Sequence, residues 1–223
     1  MTWKYQVIAI LILVFFYTVY LGKMAIQRKQ GIITNQIGKD KTNQKRFRIE
    51  RMMKFATYGI VVVELVSIFW GQSLLHDSGK TVGVIFGIVG DLFFLTAVYT
   101  MGASWRAGVA ADDHRKLVCN GIFRISRNPA FLGFDLVYLS ILLLFFNWVL
   151  LVFTVFAIVM LHLQMLQEEQ YLAQEFGQEY LDYKKKVCRY FGRRSWQFAV
   201  AVILVIVIVG IFIVNNSNFA HKF

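Results

Sequence analysis

The apolar residues of this chain lie in long blocks, and this feature constrains the fold more than any other. The blocks cover residues 5–21, 55–75, 82–101, 131–166 and 198–214. A helix that crosses the hydrocarbon core of a bilayer needs about 20 mainly apolar residues. The whole chain is 57% hydrophobic and only 17% charged, whereas about a quarter of a soluble domain is charged. We therefore expect an integral membrane protein built from helical spans, the first of them a retained span rather than a cleaved leader.

The basic residues are clustered, and the clusters set the expected topology. The formal net charge is +11, which alone would suggest a nucleic-acid partner. However, nearly all Lys and Arg residues fall within 23–54, 106–127 and 184–194. Basic residues collect on the cytoplasmic side of membrane proteins. We therefore predict that these three clusters share the cytoplasmic side, that both termini lie outside, and that no nucleic acid is bound.

The same rule decides how the longest apolar block folds. Residues 131–166 are one long helix or a tight hairpin, and a single helix would place the third basic cluster outside. A hairpin that turns near Asn147 and Trp148 returns that cluster to the cytoplasm, with about 15–18 residues in each leg. We predict an all-α membrane protein with five to six transmembrane helices, including this hairpin.

A surface helix is expected after the hairpin. Apolar residues recur every three or four positions there, which is one face of a helix, at Leu172, Phe176, Tyr180, Tyr183 and Val187. The other faces carry the charged residues Glu175, Glu179, Asp182, Lys184, Lys185 and Lys186. This pattern predicts a cytoplasmic amphipathic helix, bent at Gly177.

The predicted topology gathers polar groups at the cytoplasmic side. The hairpin brings its two ends together, so the Asn128-Pro129 turn and the Glu168-Glu169 pair become neighbours, below a loop rich in arginine. Such a pocket suits a polar cofactor from the cytoplasm and a lipophilic substrate from the bilayer. Glu64 and Asp91 fall in the middle of their spans. Their positions are compatible with a polar cavity wall or with a hydrogen bond between helices.

Two segments resemble a known enzyme family. LVCNGIFRISRNPAFLG, residues 117–133, resembles the LVxxGxYxxxRHPxYxG signature of isoprenylcysteine carboxyl methyltransferases and their phospholipid-methyltransferase relatives. EEQYLAQEFGQEYLDYKKKVCRY, residues 168–190, resembles the family segment EExxLxxxFGxxYxxYxxxV, and MGASWRAGV, residues 101–109, looks like the start of the domain in bacterial members. The resemblance implies S-adenosylmethionine as methyl donor, bound on the cytoplasmic side. Cys119 and Cys188 show no metal-ligand spacing, and we expect no metal.

The resemblance also assigns residues to roles. The donor contacts that it implies are Arg115, Lys116, Leu117, Val118, Phe123, Asn128, Pro129, Ala130, Phe131 and Glu168. Phe123 and Phe131 replace tyrosines of the family, Asn128 replaces its usual histidine, and Gln164 stands where the protein-methylating branch has an arginine that holds the substrate carboxylate. Arg106 and Arg127 are candidates to replace that arginine. Glu169 is the candidate base for an amine substrate.

We therefore expect three regions: residues 1–101 as a three-span region with a basic cytoplasmic loop, 102–195 as the methyltransferase core, and 196–223 as an additional C-terminal span. The expected activity is methylation of a lipophilic acceptor that enters from the bilayer, such as an isoprenylcysteine-type carboxylate, in the cell membrane. Open alternatives are a phospholipid or thiol methyltransferase, a nicotinamide-dependent membrane reductase, and a non-catalytic membrane protein.

Overall fold

The computed structural model describes residues 3–34, 44–75, 77–106 and 116–191. Within these ranges the chain is helical and forms no strand. The helices are α1 (Trp3–Lys29), α2 (Gln44–Trp70), α3 (Asp77–Met101), α4 (Pro129–Leu144) and α5 (Trp148–Lys186), with short 3₁₀ turns at Gly102–Ser104 and Gly121–Arg124. All but α4 are long and apolar enough to cross a membrane, which confirms the predicted fold class. The apolar block 198–214 lies outside the described residues.

The predicted hairpin is present as α4 and α5. Its turn is residues 145–147, and the Asn147 side chain caps α5 by accepting a hydrogen bond from the Leu150 amide at 2.9 Å. The loop between α2 and α3 covers the turn. The Leu74 amide donates to the Phe146 carbonyl at 3.1 Å, and the Phe146 amide donates to the Ser73 hydroxyl at 3.2 Å. The turn therefore leaves few backbone groups unpaired in an apolar environment.

Glycine contacts fix α4 against α3. A Cβ atom added to Gly90 would lie 3.0 Å from the Gly133 carbonyl oxygen, and one added to Gly133 would lie 2.9 Å from the Gly90 oxygen and the Phe94 nitrogen. Small residues at such positions let helix backbones approach closely in lipid. Because α4 begins at Pro129, this contact also positions the segment that precedes it.

The predicted amphipathic segment lies within α5, on both sides of a kink at Gly177. α5 covers 39 residues as two helices that meet at Gly177, where φ is 50° and ψ is -125°. A positive φ of this kind favours glycine. Beyond the bend, Tyr180 and Tyr183 are buried, and the Tyr183 hydroxyl donates to the Phe123 carbonyl at 2.7 Å. The bend therefore turns the end of α5 onto the loop that leads to α4.

Candidate active site at the basic end of the bundle

A cavity of about 580 Å³ opens at the end of the bundle that carries Lys184–Lys186. This volume is typical of small-molecule sites. All five helices and the segment between α3 and α4 contribute to the wall. The deeper part is mainly apolar and aromatic, with Tyr17, Met53, Phe94, Phe134, Tyr138 and Leu161 among its residues.

The structure brings nearly all the predicted donor contacts into this one cavity. Its wall includes Lys116, Leu117, Val118, Phe123, Asn128, Pro129, Ala130, Phe131 and Glu168. Arg115 lies outside the described residues. These side chains come from the segment before α4, the first turn of α4, and α5. Their assignment to a methyl donor stays a prediction.

Arg106 lies on the cavity wall next to the end of α3. Its Nη1 atom donates to the carbonyl oxygens of Ala103 at 2.6 Å and Trp105 at 2.8 Å. The Trp105 carbonyl also accepts from the buried Gln27 amide of α1 at 3.0 Å. The ends of α1 and α3 are therefore tied together at the cavity rim, and Arg106 is held there.

Arg127 and Glu169 form a buried ion pair. Their side chains are 7% and 4% exposed, and Arg127 Nη2 lies 2.9 Å from Glu169 Oε1. Arg189 Nη2 lies 2.9 Å from the other carboxylate oxygen, and the Asn128 amide donates to Oε1 at 2.9 Å. Two guanidinium groups stabilise the ionised carboxylate and oppose its uptake of a proton. This geometry favours a positioning role for Glu169 over the predicted role as a base.

Arg127 is also fully engaged within the protein. Besides Glu169, its guanidinium donates through Nη1 to the carbonyl oxygens of Val187 at 2.6 Å and Lys184 at 3.2 Å. Both contacts lie just beyond or at the end of α5. Both arginines that the sequence offered for holding a carboxylate donate to backbone carbonyls, but Arg127 also has a buried counterion in Glu169. Their roles toward a substrate stay predictions.

Arg189 and Tyr190 were not predicted as site residues. The sequence indicated only a basic cluster that sets topology, and the apolar stripe ended at Val187. In the structure, the Glu169 carboxylate accepts two hydrogen bonds from Arg189, which raises the pKa of that guanidinium. The Tyr190 hydroxyl lies 3.1 Å from His162 Nδ1. These contacts come from the folding back of residues after α5, which helical periodicity does not reveal.

Gln164 lies on the cavity wall one helical turn before Glu168. It is 1% exposed, and its Nε2 atom donates to Glu168 Oε1 at 3.4 Å. Its carbonyl oxygen has no hydrogen-bond partner among the described residues. Reversing the amide would set that oxygen against the Glu168 carboxylate, so the amide nitrogen faces Glu168.

Glu64 and Asp91 are buried but do not line the cavity. Neither carboxylate oxygen of Glu64 has a hydrogen-bond partner within the described part of the chain. No hydrogen bond therefore joins these two residues. The structure supports neither of the two roles that the sequence left open for Glu64.

Comparison with known proteins shows which family the chain resembles. Residues 83–174 match the model of the isoprenylcysteine carboxyl methyltransferase family. The chain is similar to protein-S-isoprenylcysteine O-methyltransferase from Dictyostelium discoideum, with 29% identity over 66% of this chain and 65% of that protein. It is also similar to protein-S-isoprenylcysteine O-methyltransferase B from Arabidopsis thaliana, with 29% identity over 47% of this chain and 55% of that protein.

A probable protein-S-isoprenylcysteine O-methyltransferase from Oryza sativa subsp. indica is 30% identical over 48% of this chain and 57% of its own length. The chain thus spans between about half and two thirds of the curated relatives that it matches. The matched segment contains α4, the larger part of α3 and α5, and the segment between α3 and α4.

Proposed function

Because residues 83–174 match the model of the isoprenylcysteine carboxyl methyltransferase family, we propose that the protein is a membrane methyltransferase that uses S-adenosylmethionine and a lipophilic acceptor. The observation that carries this proposal is the continuity of one cavity. Its wall joins the polar residues of the family motifs to an apolar chamber between the spans. A polar donor and an apolar acceptor can therefore meet within it.

The residues present fit the donor. Glu168 offers a carboxylate to ribose hydroxyls or to an ammonium group, and Phe123 and Phe131 offer aromatic faces to the adenine or to a sulfonium cation. All three line the cavity. When bound, S-adenosylmethionine supplies an activated methyl group, and sulfur keeps the electron pair of the broken S–C bond. The protein's part is to hold the two reactants in line and to exclude water.

The deeper chamber would hold the apolar part of the acceptor. Met53 and Leu161 come from α2 and α5, and Phe134 comes from α4. Burial of a hydrocarbon chain against such side chains contributes about 25 cal/mol per Å² of apolar surface removed from water, although an acceptor that leaves lipid gains less. This chamber therefore selects by shape and orients the reacting end toward the donor.

We further propose that the acceptor is an isoprenylcysteine-type carboxylate, as the names of the similar proteins suggest. Arg106 is then the residue that holds the carboxylate, because Arg127 is engaged with Glu169 and Gln164 has no positive charge. An acceptor oxygen of this kind is already anionic at neutral pH, so the reaction needs no base from the protein.

We propose from the positive-inside rule that this end of the bundle, where Lys184, Lys185 and Lys186 end α5, faces the cytoplasm. S-adenosylmethionine is then drawn from the cytoplasm. The division of the chain at residue 101 stays a proposal about where the methyl-transfer machinery begins. Tyr17 of α1 and Met53 of α2 line the same cavity, so the first spans would contribute to acceptor binding.

Binding of the demethylated donor tests the proposal. We expect S-adenosylhomocysteine to bind detergent-purified protein in calorimetry, and Glu168→Ala to weaken that binding at least about tenfold, which corresponds to about 1.4 kcal/mol. Glu175→Ala, a change on the exposed face of the same helix, is the matched control. Absence of binding by folded wild-type protein would refute the proposal, and a response to NADPH alone would favour the reductase.

A further inference from the structure

We propose that residues 187–191, termed the strap, are a positioning element for the methyl donor, and that Arg189 is its anchor. This inference rests on the proposed function, because it concerns how the donor site is held. The strap follows α5 and folds back over the segment that leads into α4. Arg189 and Tyr190 do not line the cavity, so they act through other residues.

The strap is joined to the turn before α4 by hydrogen bonds that involve backbone atoms. The Arg127 amide donates to the Cys188 carbonyl at 2.9 Å. The Ser126 hydroxyl, on a fully buried residue, donates to the Arg189 carbonyl at 3.0 Å. The Arg127 side chain donates to the Val187 carbonyl at 2.6 Å. Backbone bonds of this kind fix the path of residues 126–128 independently of any ligand.

The strap is also joined to two helices. The Arg189 guanidinium donates through Nε and Nη2 to Glu169 of α5, at 3.2 and 2.9 Å. The Tyr190 hydroxyl pairs with His162 of α5 at 3.1 Å. The ring of Phe191 packs edge-on against Phe93 of α3, with 5.4 Å between centroids. The strap therefore links α3, α5 and the turn before α4.

The consequence for the donor site is at Asn128, which lines the cavity. Its amide nitrogen donates to Glu169 Oε1 at 2.9 Å and to the Arg189 carbonyl at 3.4 Å. Both amide hydrogens are thus used within the protein, and only the carbonyl oxygen is left for a ligand. The strap and Glu169 together make Asn128 a hydrogen-bond acceptor. Its partner on S-adenosylmethionine would be a hydrogen-bond donor, which is the adenine amino group, the ammonium group or a ribose hydroxyl.

Arginine suits the anchor position better than lysine does. Two nitrogens of one planar guanidinium reach the Glu169 carboxylate at once, and this arrangement fixes direction as well as distance. A lysine ammonium supplies a comparable charge but no rigid fork. A carboxylate held at both oxygens cannot rotate away from Asn128. The Arg189→Lys variant therefore separates charge from geometry.

The experiment compares Arg189→Gln and Arg189→Lys with Lys185→Gln. The control removes a charge from a lysine whose side chain is 72% exposed. We expect Arg189→Gln to weaken S-adenosylhomocysteine binding about tenfold, Arg189→Lys by a smaller factor of about three, and the control by less than about two. Hydrogen exchange should accelerate in peptides that cover residues 122–132. The KM for N-acetyl-S-farnesylcysteine should not change.

The outcomes separate the two proposals. If the wild type binds no S-adenosylhomocysteine, the proposed function fails and the inference falls with it. If the wild type binds and Arg189→Gln binds equally well, only the inference is refuted. A rise in hydrogen exchange throughout the helices, together with equal losses of binding of S-adenosylhomocysteine and of N-acetyl-S-farnesylcysteine, would also refute it. Tyr190→Phe removes a single hydroxyl and gives a milder second test, with an expected loss of donor affinity of about threefold.

Discussion

Replacement of Glu169 by glutamine tests whether this residue holds the site together or accepts a proton. The substitution keeps the size of the side chain and removes its charge. Glutamine can still accept from Arg127 and Asn128 through its oxygen, but its amide nitrogen takes the position of the oxygen that now lies 2.9 Å from Arg189 Nη2. Two donors then face each other, and two guanidinium groups lose their shared counterion.

The size of the effect follows from burial. Removal of one partner from a buried ion pair costs about 3–5 kcal/mol. The Arg127 side chain is 7% exposed, but that of Arg189 is 24% exposed, so water partly screens the second pair and the lower limit applies. For a chain of this size, 1 kcal/mol shifts the melting temperature by about 2–4 °C. We therefore expect Glu169→Gln to lower the melting temperature by about 6–12 °C.

The assay is thermal unfolding in detergent, followed by calorimetry with S-adenosylhomocysteine. Glu175→Gln makes the same chemical change on the exposed face of α5 and should leave both measurements unchanged. A melting temperature within about 2 °C of the wild type, together with normal donor binding and a lowered kcat, would refute the positioning role. That result would instead support Glu169 as a base.

Two further changes test other parts of the structure. Arg106→Ala should raise the KM for N-acetyl-S-farnesylcysteine about tenfold without changing S-adenosylhomocysteine affinity, because Arg106 is the arginine on the cavity wall that Glu169 does not engage. Arg124→Ala, at an exposed site outside the cavity, is the control. Equal kinetics in both variants would remove Arg106 from the acceptor site. Gly133→Ala should destabilise the protein by about 1–3 kcal/mol in detergent unfolding, because its Cβ would lie 2.9 Å from backbone atoms of α3. Gly22→Ala, where a Cβ meets no atom within 4 Å, should leave the stability unchanged. Equal melting temperatures of the two variants would contradict the tight contact between α3 and α4.

The fold could be predicted from the sequence because lipid imposes simple rules. Apolar length marks the spans, and the position of Lys184 to Lys186 required a hairpin within residues 131–166. The structure contains that hairpin. The bend predicted at Gly177 is present. The first part of the predicted surface helix instead continues the helix that begins at Trp148, since periodicity reports which face is apolar and does not report where a helix begins.

The candidate site was predictable only in part, because the motif residues are contiguous and the rest are not. Asn128 and Glu168 were expected to be neighbours from the hairpin alone, and both line the cavity. The strap was missed because its contacts to Ser126 and Arg127 run through carbonyl oxygens, which carry no sequence signal. The partner of Glu169 was missed because Arg189 resembles any other basic residue near a membrane surface.

The short hairpin has a consequence for how the chain is assembled in a membrane. α4 has 16 residues, or about 24 Å at 1.5 Å per residue, against a hydrocarbon core of about 30 Å. α4 is thus shorter than the hydrocarbon core is thick, and its turn is paired with the loop between α2 and α3, where Ser73 and Leu74 supply the partners of the Phe146 backbone. Ser73 and Leu74 are synthesised before Phe146. The partners of the turn are therefore made before the turn itself, and a rearranged gene that encoded the hairpin first would leave the Phe146 backbone without these partners until Ser73 and Leu74 were made.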